Sequence, residues 1–378
     1  MAHVFDYVVI GSGISGLTIA TALSKITDNV ALVESADHIG GHNKKVTTPY
    51  GVINNGLRQV PASLSGEKAL KFLEELTETA IIDSAQSASP ITFEGGQFKS
   101  FLGFGDAPPA FYEELNYFIQ TDTYNLSVEP HSWPELLFSK FKGQFFPRSY
   151  VTKFHAENEA VTHVTINGTK QIHGTNFIFT GTVKDLNLLL PEEALSHRVR
   201  AKLNKNAYWT ALCLDLCHNH EVTDSKAVHL LNGTTQDEIG PCVGKFLPAI
   251  TTEDGQTLQT SQWMTYVGHE ETEDSEIVGA ALKKIKRQIK RAYPNALDNI
   301  VHERIFVAPL VGGNGDLKLS ANQTLPALQN LWIASGTMND HKNLVGSLLQ
   351  AELVLSQFGI NPIANSTSIE ISELDALS

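Results

Sequence analysis

The sequence predicts an α/β fold from three observations. A strand–turn–helix–strand unit opens the chain, a β-rich block occupies its middle, and a strand–turn–loop–helix closes it. In the opening unit Tyr7–Ile10 reads as a buried strand and Asn29–Val33 as a second. Between them Leu17–Ile26 reads as a helix, with apolar residues at Leu17, Ala20, Leu23 and Ile26. Gly66 to Glu78, GEKALKFLEELTE, has helical spacing, and Pro108–Thr121 is expected to hold another helix; Ile81–Gly105, rich in Ser and Gly, shows no assignable period. The β-rich block comprises Tyr150–Phe154, Ala160–Ile166, Lys170–Ile172 and Phe177–Thr180, with the turn signal Asn167-Gly168. Tyr208–Cys217 and Trp263–Val267 follow as strands, and Glu276–Tyr293 as an amphipathic helix stopped by Pro294. The closing unit is a strand at Leu331–Ala334, the turn Ser335-Gly336, a loop, and a helix at Gly346–Phe358.

Composition narrows the function classes. The chain has 378 residues, enough for two domains, with 42% hydrophobic and 18% charged residues, an ordinary globular balance. A formal charge of −13 argues against a nucleic-acid partner. Three cysteines make no disulfide framework and fit a cytoplasmic setting. No apolar run approaches the ~20 residues that span a bilayer, and no signal peptide is read; peripheral membrane contact is left open.

The sharpest local signal is GSGISG. Gly11, Gly13 and Gly16 form G-x-G-x-x-G directly after a strand and before a helix, interleaved with Ser12, Ile14 and Ser15. Gly11 permits a tight turn, Gly13 lets backbone approach a pyrophosphate, and Gly16 lets helix pack on strand. Helix-terminal N–H groups then face the phosphates. Glu34, followed by Ser35, ends the second strand, where a carboxylate accepts a ribose hydroxyl and repels a 2′-phosphate. A dinucleotide is therefore expected, with NAD and FAD both open. Soon afterwards Gly40-Gly41-His42 offers a second backbone approach.

These residues resemble the FAD-dependent oxidoreductases that include flavin amine oxidases, protoporphyrinogen oxidases and phytoene desaturases. That family follows its acidic strand end with Gly-Gly-Arg; Gly40 and Gly41 match, and His42 stands where the arginine is usual. The resemblance further implies flavin contact at Gly56, Leu57 and Arg58, and an adenine contact from the backbone of Val151. It implies a chain return to the nucleotide at Gly181, and a pyrophosphate-approaching Gly336 before a final helix that Val345 and Gly346 open toward the flavin. It covers about residues 5–61 and 300–358, plus a short middle section. The fold it implies is a Rossmann-like, doubly wound FAD-binding domain (1–61, 146–195 and 300–360). An inserted α+β substrate domain takes 62–145 and 196–299, and a flexible acidic tail 361–378.

The implied cofactor is FAD, and the implied reaction removes hydride from a C–N or C–C unit of a small organic substrate. Rival readings are an isomerase or mutase using reduced FAD, a non-catalytic FAD-binding redox sensor, and an NAD-dependent dehydrogenase. His341, Lys342 and Arg58 are the candidate catalytic groups, since the 339–343 loop should pass near the flavin. The loop lacks the aromatic cage of amine oxidases, and Lys205 is only a candidate for their flavin-assisting lysine. Cys213, Cys217, His218 and His220 crowd together, but a zinc site wants ligand pairs from two segments, so no metal is expected. The basic face of Lys283–Arg291 reads as a solvated helix surface.

Overall fold

The computed structural model describes residues 3–87, 89–104, 110–120, 122–232, 241–313 and 317–360; the expected acidic tail lies outside them. Two eight-stranded sheets organise the chain. In the first, Leu328–Ile333, Lys170–Phe179, Val4–Ile10, Val30–Val33 and Gln144–Phe146 run parallel as neighbours in that order. Val151–Glu157 and Ala160–Ile166 extend it as an antiparallel meander that leads into Lys170–Phe179. Val8, Val9, Ala31 and Leu32 are fully buried, as expected of parallel strands covered on both faces.

The second sheet is mostly antiparallel and centres on Tyr208–His218, flanked by Thr257–Gly268 and Ile300–Gly313. Strict alternation along Tyr208–His218 gives it two faces. Leu214 and Leu216 pack with Trp263, Ile285 and Ile289 under the amphipathic helix Ser275–Ala292. Ala211 and Cys213 face the other way, into the main core.

Several elements differ from the sequence expectation in an instructive way. Lys170–Ile172 and Phe177–Thr180 are one strand, Lys170–Phe179: Gly174 lies in it without a turn, where an added Cβ would meet Val8 Cγ2 at 2.6 Å. Only Tyr112–Asn116 of the expected 108–121 helix is helical among its described residues. The unassigned 81–105 stretch supplies the strands Ile82–Ser87, Ile91–Glu94 and Gln97–Ser100. The first and last helices are Ile14–Leu23 and Asn343–Ser356, each beginning three residues ahead of its expected start. Gly16 and Gly346 thus sit inside a first helical turn rather than before it.

Candidate functional site

The opening turn is built by close approach. Gly11 has φ +102°, a conformation that L side chains rarely adopt, and a Cβ there would lie 2.5 Å from Thr180 Oγ1. A Cβ on Gly16 would meet the Gly11 carbonyl oxygen at 1.9 Å, so the helix can pack there only without a side chain. Around Gly13, by contrast, there is open space.

Glu34 stands beside this turn. One carboxylate oxygen accepts from Ser12 N–H at 2.8 Å and Ser12 Oγ at 2.6 Å; the other accepts from Ala36 N–H at 2.8 Å and Ser35 Oγ at 3.0 Å. Burial pushes its pKa up, but these donors outweigh burial and hold it below the ordinary carboxylate value. Gly40 donates to the Ser12 carbonyl at 2.8 Å. Gly41, with φ +54°, would place a Cβ 3.4 Å from Gly13 Cα, so two glycine backbones face each other across the turn.

His42 is exposed and lines the cavity. Loss of water around its ring, then the nearby Arg58 guanidinium, shifts its imidazole pKa below the ordinary value, so it does not supply a positive charge. The positive charge comes from Arg58. Its Nη2 donates to the His42 carbonyl at 2.9 Å, Nε to Asn43 Oδ1 at 2.9 Å, and Nη1 to its own neighbour's carbonyl, Leu57 O, at 2.8 Å.

The closing unit repeats the device of the opening one. A Cβ on Gly346 would lie 1.9 Å from the His341 carbonyl oxygen, and one on Gly336 would lie 2.9 Å from Ser347 Oγ. Ser15 Oγ donates to Ser347 O at 3.0 Å, tying the first turns of the two helices together. Neither helix has a side-chain cap at its N-terminus, nor an acidic residue in its first turn. Neither start is therefore capped by the residue before it, although the buried Tyr117 hydroxyl meets the Val345 N–H of the second.

One cavity of about 420 Å³ joins these parts. Of the residues singled out from sequence, Gly11, Ser12, Gly13, Glu34, Ser35, Gly41, His42, Arg58, Gly181, Gly336 and Lys342 line it. Ile14, Ser15, Gly16, Val345 and Gly346 form the helix turns behind it. Gly56 and Leu57 are buried away from the lining; Gly56, at φ +79°, packs against Phe306 and Cys213. Val151 is a buried core residue, two positions from Ser149, whose N–H donates to Glu34 O at 2.7 Å. His341 is exposed and pairs with Ser65 Oγ at 2.9 Å, and Lys205 lies exposed at the end of the helix His197–Lys205. His218 is held by the Ala296 carbonyl and Ser261 Oγ, on the strand face opposite Cys213 and Cys217.

Sequence reasoning missed the far wall: Ala211, Cys213, Met264, Tyr266 and Ala308 from the second sheet, with Gly312 and Gly313 at its edge. Only the Gly312-Gly313 pair carried a local signal. Burial pushes the Cys213 thiol up to about 12, so it remains a protonated, weakly polar group. Beneath this wall Asp215, 2% exposed, accepts from Arg304 at 2.8 Å and Gln262 at 3.1 Å; Arg304 also donates to Asn55. Asn55 in turn donates to the His42 carbonyl at 3.1 Å, so a buried polar chain links the second sheet to the glycine loop.

Residues 9–76 match the family described as NAD(P)-binding Rossmann-like domain. No curated protein sequence matches the chain. Among solved structures it is similar to an oxidoreductase from Methanosarcina mazei, at 15% identity and TM-score 0.67, covering 93% of this chain and 99% of that one. It is similar also to a chain from Exiguobacterium sp. 255-15 provisionally named protoporphyrinogen oxidase, at 10% identity and TM-score 0.67, covering 95% and 100%. Putrescine oxidase bound to putrescine matches at 11% identity and TM-score 0.62, covering 94% and 99%. The chain has the amine-oxidase-like fold. In this amine-oxidase-like architecture the cavity lies where the glycine turns of the parallel sheet meet the inner face of the antiparallel one. No helix among the described residues is long and apolar enough to cross a membrane.

Proposed function

We propose that the protein is an FAD-dependent oxidoreductase that takes hydride from a C–N or C–C unit of a small organic substrate. One observation carries this reading: two helix N-termini without side-chain caps converge on a single cavity that also holds Glu34. An extended dianionic cofactor suits that arrangement. FAD, when bound, supplies the hydride acceptor. The first turn of Ile14–Leu23, with Gly13 and Gly41, holds the pyrophosphate, and Arg58 adds the positive charge that neutral His42 does not. Glu34 accepts from the ribose hydroxyls in place of the Ser12 and Ser35 hydroxyls it now binds, and excludes a 2′-phosphate. The N-terminus of Asn343–Ser356 stabilises negative charge gathered on the reduced ring. Cys213, Met264, Tyr266 and Ala308 shut water from the reacting face, and Lys342 orients the substrate from its rim.

The family matched by residues 9–76 favours a second reading, a nicotinamide cofactor in the same turn. The purified protein distinguishes them. Flavin absorption bands, bleached anaerobically by a member of a substrate panel and restored by an electron acceptor, are expected. A colourless protein carrying NAD overturns the flavin reading, and product formed only after prior reduction, with no net electron transfer, makes the enzyme an isomerase.

A further inference from the structure

Arg58 lines the cavity, yet the acceptors around its guanidinium are all neutral: the carbonyls of Leu57 and His42 and the amide oxygen of Asn43. Among the described residues no carboxylate forms an ion pair with it. The buried carboxylate of the second sheet, Asp215, serves Arg304 instead, its direct neighbour across two strands, at 2.8 Å. Arg304 is held on three sides. Asp215 accepts from one arm, Asn55 Oδ1 accepts from the other, and the Phe306 ring centroid lies 3.8 Å from its Cζ. Asn55 then donates to the His42 carbonyl at 3.1 Å, the same oxygen that takes Arg58 Nη2 at 2.9 Å. Gln262 braces the far side of Asp215 at 3.1 Å and ties the neighbouring Asn54 carbonyl at 2.9 Å. None of Asp215, Arg304 and Asn55 lines the cavity.

Lost hydration offsets most of the attraction within a buried ion pair, so such a pair adds little stability, whereas removing one partner strands the other's charge. Here one buried carboxylate stands near two guanidiniums. It neutralises Arg304, outside the cavity, and leaves Arg58, on the cavity wall, with a positive charge that no carboxylate matches. We propose that Asp215, Arg304 and Asn55 are positioning residues that aim the Arg58 guanidinium and the Gly40–Asn43 loop at an anionic group in the cavity. This role rests on the dinucleotide reading of that cavity, whose phosphates are the group addressed. The second sheet thereby sets the affinity for a cofactor held by the first.

Equilibrium dialysis of the full chain against FAD and, in parallel, NAD tests this. Asn55→Ala, which leaves the Asp215–Arg304 pair intact, and Arg304→Met are each expected to weaken the bound cofactor on the order of tenfold, as is Arg58→Met. Added to Arg58→Met, either change is expected to cost no more than about a further twofold, because no guanidinium is then left to aim. Losses that multiply independently reveal a merely structural role and overturn the proposal. Arg304→Lys separates aim from charge. It is expected to restore the unfolding midpoint lost in Arg304→Met, since it still pairs with Asp215, but not the affinity, since it lacks the second arm that reaches Asn55. Wild-type affinity in Arg304→Lys, Asn55→Ala or Arg58→Met overturns the proposal. A wild type that takes NAD and not FAD sinks the flavin reading alone, because the same comparison is then made on NAD; one that takes neither overturns both.

Discussion

The helices Ile14–Leu23 and Ser275–Ala292 begin in opposite ways. Asp274 caps the second, its Oδ1 accepting from Glu276 N–H at 2.8 Å and Ile277 N–H at 3.4 Å. Ser63, Thr182 and Ser196 do the same for the helices Leu64–Thr77, Val183–Leu189 and His197–Lys205. The first helix, and with it Asn343–Ser356, has no such N-cap side chain, and both open on the cavity of about 420 Å³. Four of the other six described α-helices are capped by a side chain, Tyr112–Asn116 and Trp133–Lys140 being the exceptions; at the cavity, on the proposed function, the uncapped groups serve a ligand.

The comparison breaks most sharply at the two glycines with no room for a side chain. Gly16→Val or Gly346→Val forces a Cβ against a backbone oxygen only 1.9 Å away. Each is expected to destabilise the protein by about 3 kcal/mol and to yield protein without cofactor, checked by urea unfolding and visible absorption. A variant that kept its cofactor would show that close helix packing does not create the site.

Glu34→Gln tests the ribose end. Cofactor affinity is expected to fall on the order of tenfold or more, measured by fluorescence titration. The sign of its pH effect follows from the lowered pKa. A carboxylate held below its ordinary 4.5 adds stability above that value, and the gain disappears as pH falls through the lowered one. The wild type should therefore lose stability on acidification below 4.5 more steeply than Glu34→Gln.

Lys342→Asp converts the bare start of the last helix into a capped one, since position 342 already has an extended backbone at φ −100°, ψ 170°. The cofactor-free protein is expected to gain about 1 kcal/mol. Affinity is expected to fall on the order of tenfold, because the new carboxylate competes for the same N–H groups. Asp274→Ala, the reverse change on a capped helix, should cost about 1 kcal/mol in thermal or urea unfolding and leave cofactor affinity unaltered.

Half of the cavity was legible in the sequence because its chemistry is local. The spacing of Gly11, Gly13 and Gly16 between strand and helix, the carboxylate of Glu34 at the next strand end, and Gly336 and Gly346 around a closing strand–helix are all short-range patterns. Helix starts were misplaced by three residues because glycine reads as a boundary, whereas Gly16 and Gly346 are glycine for packing inside the first turn. Lys170–Phe179 read as two strands for a similar reason: Gly174 makes room for Val8 on the neighbouring strand instead of ending its own.

The opposite wall carries no such pattern. Ala211, Cys213, Met264, Tyr266 and Ala308 look like ordinary alternating strand residues, and only the register of Tyr208–His218 against Thr257–Gly268 and Ile300–Gly313 places them on one face. Glu114 lies in a stretch with weak helical signal, and its burial depends on Gly312, 198 positions away along the chain by difference of residue numbers. By itself the sequence determined the dinucleotide turn and the parallel sheet around it, because backbone sterics and helix ends act over a few residues. Tertiary structure alone decided what faces that turn, because the partners of a sheet face and the desolvation of a carboxylate are set by segments distant in the chain.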